Sequence, residues 1–318
     1  MRIARLKLLV ITLTLGVSLM DAPRVHADFL VASPGTNSVL RYDQTTGTFL
    51  GTFVAPESGG LSNPANLIIG PGGDLFVVSA GTGSILRFSG TTGASLGTFA
   101  SGGLAMPVDL VFGPGGDLFV TSAGTNSILR FSGTTGASLG IFASGGGLTN
   151  PRGLTFGPGG DLFVSSAGTG SVLRFSGTTG SFLGPFASGG GLRAPAAPLF
   201  GPGGALFVGD NLDNSILRFD GATGSFLGPF AAGGGLIGPR KFLFGPDGDL
   251  FVSSNGTNSV LRYNGTTGAF LGTFVTPGSG GLSGPVGLVF TAAVPEPSSL
   301  ALLVIGIVGA LGSARRLR

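Results

Sequence analysis

The residues able to do chemistry are few. In 318 residues there is no cysteine and one histidine, His26, near the start of the chain. Nucleophile–base triads, thiol catalysis and His/Cys zinc sites need one or the other, so the rest of the chain excludes them. What remains is oxygen chemistry and charge. The run Asp210-Asn211-Leu212-Asp213-Asn214 concentrates oxygen donors, a set suited to Ca²⁺ or Mg²⁺. Asp109, Asp210 and Asp213 are the candidate metal ligands. The same run has the composition of an Asp/Asn-rich turn, whose side chains bond their own backbone. It lacks the length and closing Glu of an EF-hand loop. Glu57, the one Glu between residues 28 and 293, stands in a Pro/Gly/Ser stretch.

Charge offers two further sets. Asn66, Asp109, Arg152, Asp210, Arg240 and Lys241 are polar positions at which otherwise repeated segments differ. Gathered at one cavity, they would hold a polar ligand. Arg41, Arg87, Arg130, Arg174, Arg218 and Arg262 recur in every repeat, and Asp28, Asp74, Asp117, Asp161 and Asp249 recur on a neighbouring segment. A charge present in every repeat belongs to the architecture, so one Arg–Asp pair per repeat is expected where repeats pack. Stacking on sugars needs exposed aromatics. The chain has no Trp, and its two Tyr, Tyr42 and Tyr263, occupy a repeated strand position.

The elements that must position these residues are short and regular. Gly-Pro-Gly-Gly-Asp-Leu-Phe-Val occurs at 70–77, 113–120 and 157–164, with near copies at 201–208 and 245–252. Ser-(Val/Ile)-Leu-Arg-(Phe/Tyr) begins at Ser38, Ser84, Ser127, Ser171, Ser215 and Ser259. A Thr-Gly-x-x-Leu-Gly-x-Phe segment runs from Thr179 to Phe186, and a Pro-x-x-Leu-x-Phe type segment begins at Pro64, Pro107, Pro151, Pro195, Pro239 and Pro285. Each unit of about 44 residues thus holds four apolar runs of strand length, divided by Gly, Pro and Asn turn clusters. Such a unit predicts a propeller blade. With 63 Gly and 20 Pro the chain still has 42% hydrophobic and 10% charged residues, which is not a disordered composition. The fold class is all-β, a propeller of four-stranded blades. Asp28-Phe29-Leu30-Val31 matches the second strand of a unit, and Pro285–Phe290 matches a first strand. Six blades result if the C-terminal strand joins the N-terminal blade, which removes open edges.

Across residues 28–293 these repeats resemble NHL-type six-bladed β-propellers, on Pro-x-x-Leu-x-Phe, Gly-x-Leu-Phe-Val and Val-Leu-Arg-Phe in register, as from Pro151 to Phe175. Many NHL units carry Asp after the second strand; here Ser33, Ser79, Ser122, Ser166 and Ser254 stand there, and only Asp210 restores the acid. The resemblance implies a central channel. Related lactonase-like propellers hold a divalent cation in it, which implies an alternative function: a Ca²⁺- or Mg²⁺-dependent hydrolase or lactonase around Asp109 and Asp210. The first expectation is a non-enzymatic interaction scaffold without cofactor, contacting an unknown protein or extracellular polymer.

Both ends carry addresses. Arg2, Arg5 and Lys7, the apolar run Leu8–Met20 and Val25-His26-Ala27 have the pattern of a signal peptide over residues 1–27, read by signal peptidase. Residues 294–318 hold Pro295-Glu296-Pro297, a charge-free apolar run and the basic end Arg315-Arg316 and Arg318. That tripartite pattern resembles the PEP-CTERM sorting signal of Gram-negative bacteria. It implies export across the inner membrane, a transient membrane anchor through a C-terminal helix, and removal by an exosortase-like enzyme, leaving the protein at the cell surface or outside. The basic residues cluster at these ends, while residues 28–293 carry ten basic and twelve acidic side chains. A body without a basic excess is no partner for nucleic acid.

Overall fold

The computed structural model describes residues 27–291. The proposed signal peptide and the sorting tail, with Pro295, Glu296, Pro297, Arg315 and Arg316, lie outside the described residues. Residues 27–291 belong to one compact unit. Within it, six antiparallel four-stranded sheets are arranged as the blades of a β-propeller. Blade 4 shows the unit: Pro151–Phe156, Leu162–Ser166, Ser171–Phe175 and Phe182–Ser188. The first strands of neighbouring blades touch all round the ring and so line the central channel.

Closure follows the expected route. Leu288–Phe290 pairs antiparallel with Asp28–Ser33, completing blade 1 from the two ends of the propeller. Thr291 N donates to Asp28 O at 2.9 Å and Asp28 N to Thr291 Oγ1 at 2.9 Å. No sheet edge is left open at the seam.

The core is six apolar clusters, one at each blade interface. Phe76, Val78 and Ile85 of blade 2, for example, pack on Leu110, Leu118 and Phe131 of blade 3. Phenylalanines meet edge to face across these interfaces: Phe119 stands 4.7 Å from Phe142 in its own blade and 5.1 Å from Phe156 in the next. Such contacts add to area burial. Tyr42 and Tyr263 replace the buried phenylalanine found in the other blades, and each hydroxyl donates at 2.8 Å to a carbonyl, Ser279 O and Gly233 O.

Two side-chain devices pin the loops. Asn37, Asn126, Asn214 and Asn258 adopt positive φ at the turn after the second strand, a conformation Asn tolerates. Each Oδ1 accepts a backbone N–H of the loop entering the next blade at 2.7 Å. The buried serine ending the second strand accepts from the loop entering its own blade, as Ser79 Oγ does from Ser62 N at 3.0 Å.

The repeated arginines pair as the repeat implied. Arg87, Arg130 and Arg174 bond Asp74, Asp117 and Asp161 at 2.5–2.6 Å, Arg262 bonds Asp249 at 2.7 Å, and Arg41 lies 3.6 Å from Asp28. The arginine is on the third strand and the aspartate at the start of the second strand of the same blade, or one residue before it, so the pair lies within a blade rather than across the interface. Blade 5 has Ala205 in place of the acid, and there Arg218 lies over the Phe230 ring, as Arg130 also lies over Phe142.

Candidate functional site

The channel is built from the repeated Pro-x-x segment that opens each inner strand. Register shifts fall between this proline and the residue three places on, as between Pro107 and Leu110 or Pro239 and Phe242. The two residues between are released from the ladder and face the axis. In blades 3 and 6 a hydroxyl of the second strand replaces the missing ladder bonds. Asp109 N donates to Thr121 Oγ1 at 2.8 Å, and Lys241 N to Ser253 Oγ at 2.9 Å. The hydroxyls return to the carbonyls of the same residues at 3.3 and 3.0 Å. These bridges hold the two charged residues in place.

Blades 3 and 6 stand opposite each other in a ring of six. Lys241 Nζ reaches across the channel to Asp109, 3.3 Å from Oδ1 and 3.1 Å from Oδ2. Side-chain exposure is 20% for Lys241 and 4% for Asp109. Asp109 also accepts from the Asn66 amide, from Leu110 N at 2.9 Å and from Leu154 N at 3.2 Å. The Lys241 ammonium compensates the charge of this buried carboxylate. The Asn66 Oδ1 is buried without a partner and faces Gly287, where a Cβ would stand 2.7 Å away. Only glycine fits beside it.

Arg152 and Arg240 are the first residues of these inner pairs in blades 4 and 6. With Asn66, Asp109 and Lys241 they line one cavity of about 410 Å³. Burial, and after it the Arg152 guanidinium, holds Arg240 below the usual arginine range. The Asn211 amide, in its hydrogen-bonding orientation, accepts from Arg240 Nη1 at 3.2 Å and donates to the Pro239 carbonyl. Asn63 and Asn255 complete the polar wall. Sequence reading took Asn211 only as part of the 210–214 oxygen-donor run and passed over Asn63 and Asn255, because they sit in turns whose composition is explained by turn geometry. The facing of residues 109 and 241 was accessible from the repeat count alone, since their units are three apart.

The structure does not bring Asp210 to this cavity. The carboxylate is fully buried at the end of the second strand, where the other blades have serine. Its Oδ2 accepts from Arg193 N and Ala194 N, and its Oδ1 from Leu212 N at 2.8 Å and Asp213 N at 3.1 Å. Asp210 therefore clamps the loop, as the serines do. Asp213 points outward to Arg193 at 3.4 Å. Asp109, Asp210 and Asp213 form no joint ligand set, and no group of acids fit to hold a metal occurs among the described residues. A divalent cation does not fit Asp109 while Lys241 occupies both its oxygens.

This class of fold and the sorting motif stand out in comparisons with known proteins. Residues 293–316 match the PEP-CTERM protein-sorting motif. A chain of the crystal structure of a nidogen/laminin complex superimposes with a TM-score of 0.68 at 17% identity, covering 85% of this chain and 99% of that one. A protein of unknown function from Bacteroides caccae gives 0.67 at 12%, covering 84% and 99%. The streptogramin B lyase structure gives 0.57 at 18%, covering 83% and 81%. At these identities the likeness is one of fold. Comparison with curated protein sequences finds no match. The chain is thus a six-bladed β-propeller protein carrying a PEP-CTERM sorting signal, which implies export and transient membrane anchoring. Among the described residues no helix is long and apolar enough to cross a membrane.

Proposed function

We propose that the protein is an exported, non-enzymatic interaction scaffold of a Gram-negative cell surface or extracellular matrix. In this reading signal peptidase removes residues 1–27 and an exosortase-like enzyme removes the tail at Pro295-Glu296-Pro297. The propeller is similar to NHL-type repeats, and its partner, a protein or an extracellular polymer, meets the channel mouth. One observation carries the reading. Strands two to four repeat almost without change, whereas the axis-facing pairs are Val286-Gly287, Ala65-Asn66, Val108-Asp109, Arg152-Gly153, Ala196-Ala197 and Arg240-Lys241. A surface that differs from blade to blade can recognise something; a surface repeated six times can only pack. The alternative, a Ca²⁺- or Mg²⁺-dependent hydrolase, has no observation in its favour, because the oxygens of Asp109 and Asp210 already serve protein donors.

The test is surface retention in the native host. Replacing Arg152 and Arg240 by Ala should release the processed protein into the medium, while Arg87→Ala stays on the cells. Equal retention of both would sink the mouth-binding reading. A Glu296→Ala chain should remain in the membrane fraction; normal processing would sink the exosortase step.

A further inference from the structure

We propose that the channel mouth binds an oxyanion, a carboxylate, sulfate or phosphate group, held between Arg152 and Arg240. This deepens the binding reading above by naming the ligand's chemistry, and it rests on that reading for the place of contact. The cations of residues 28–293 divide into two groups. Arg41, Arg87, Arg130, Arg174, Arg193, Arg262 and Lys241 each face a carboxylate within 4.0 Å. Arg152, Arg218 and Arg240 have no such partner among the described residues. Arg218 is the repeat arginine that lost its acid to Ala205. Arg152 and Arg240 belong to no repeat, and both face one cavity.

Their placement is costly in the free protein. They belong to blades 4 and 6, and blade 5 between them carries the small Ala196 at the same place, so both guanidiniums line the one cavity and Arg152 lies close enough to act on Arg240. Like charges half-removed from water repel and lose hydration together. An oxyanion placed between them reverses both costs. The planar guanidinium fork matches the oxygens of carboxylate, sulfate and phosphate, and two forks can grip one group from two sides. Arg240 is already oriented by Asn211 at 3.2 Å. The one carboxylate on the cavity, Asp109, is engaged by Lys241 from the opposite blade, so the cavity keeps a positive excess in a body with more acids than bases. Its volume of about 410 Å³ exceeds that of an inorganic ion, and Ala65, Val108 and Val286 supply apolar wall. The group recognised is accordingly borne on a small organic ligand or a polymer end, with the organic portion against that wall.

The experiment is calorimetric and thermal-shift titration of the purified full-length protein with sodium sulfate, sodium phosphate and sodium citrate, ionic strength being matched with NaCl. Saturable binding beyond the NaCl control is expected, with citrate tightest if the natural group is an organic carboxylate and sulfate or phosphate tightest if it is not. Arg152→Met and Arg240→Met should each weaken binding about tenfold or more, and the pair should abolish it. Without added anion, Arg240→Met should unfold no earlier than the parent, because it relieves repulsion; that separates loss of a ligand contact from loss of the fold. Arg218→Met should bind as the parent does. Absence of saturable binding, or binding that survives loss of both Arg152 and Arg240, overturns the proposal. Anion binding without any effect of these variants on surface retention would leave the site standing and remove the scaffold reading.

Discussion

Two ion-pair systems sit in one propeller and obey different rules. In each of five blades an arginine, its side chain 33–42% exposed, meets an aspartate at the start of the neighbouring strand or one residue before it. Once in the molecule, Lys241 meets Asp109 across the channel, the two 132 positions apart in the chain. The first system is local, half-solvated and repeated, and blade 5 forms without its acid. The second is non-local, nearly dry and unique. Repetition marks what a blade needs in order to be a blade. Singularity marks what the molecule as a whole has been adapted to hold.

The sharpest way to break this contrast is at the channel. Asp109→Ala leaves the Lys241 ammonium uncompensated and should cost about 3–5 kcal/mol in denaturant unfolding. The double change Asp109→Ala with Lys241→Ala, which imitates Ala197 of blade 5, should recover most of that loss. Equal losses from the single and double variants would show that the pair matters only through packing.

Asp210 tests whether a departure from the repeat is always functional. Asp210→Ala removes a buried acceptor of several N–H groups and should cost about 1.5–3 kcal/mol. Asp210→Ser restores the clamp of the other blades and should fall within about 1 kcal/mol of the parent by the same measure. A large loss with serine would return Asp210 to the list of site residues.

The two tyrosines sharpen the same question inside the repeated core. Tyr263→Phe, the residue of four other blades, should cost about 1 kcal/mol for the bond to Gly233 O. Burial pushes the Tyr263 phenol up to about 12, and Tyr42 higher still. A raised folded-state value means stability is complete below pH 10 and falls as pH rises from there through about 12. Since these are the only tyrosines, phenolate absorbance should appear together with loss of strand signal. Phenolate formed near pH 10 in a folded chain would contradict their burial.

The smallest effect belongs to the repeated pair. Arg87→Ala should cost about 1 kcal/mol or less, because its guanidinium is 40% exposed and its ion pair is screened. A loss as large as that of Asp109→Ala would erase the distinction between the two systems.

The fold was largely legible before any coordinates. The Gly-Pro-Gly-Gly-Asp-Leu-Phe-Val recurrence, the spare second strand at Asp28 and the spare first strand at Pro285 make a closed ring of six the economical count. Strand periodicity and turn chemistry are local properties, so one chain displays them repeatedly. The sorting motif is legible for the same reason. Arg–Asp pairing was readable too, though it lies within blades rather than between them, because register on adjacent strands decides it.

The site was legible only as a set of suspects. Asp109, Asn66, Arg152, Arg240 and Lys241 stood out by differing from their repeats, and so did Asp210, which closure placed outside the cavity. Chain order says where the blades disagree. It does not say which of their side chains reach each other. That was decided when the ring closed: blade 3 came to stand opposite blade 6, so that Lys241 could neutralise Asp109, while blades 4 and 6 presented two arginines to the same cavity. Coulomb interactions act through space, and only the tertiary fold sets those distances.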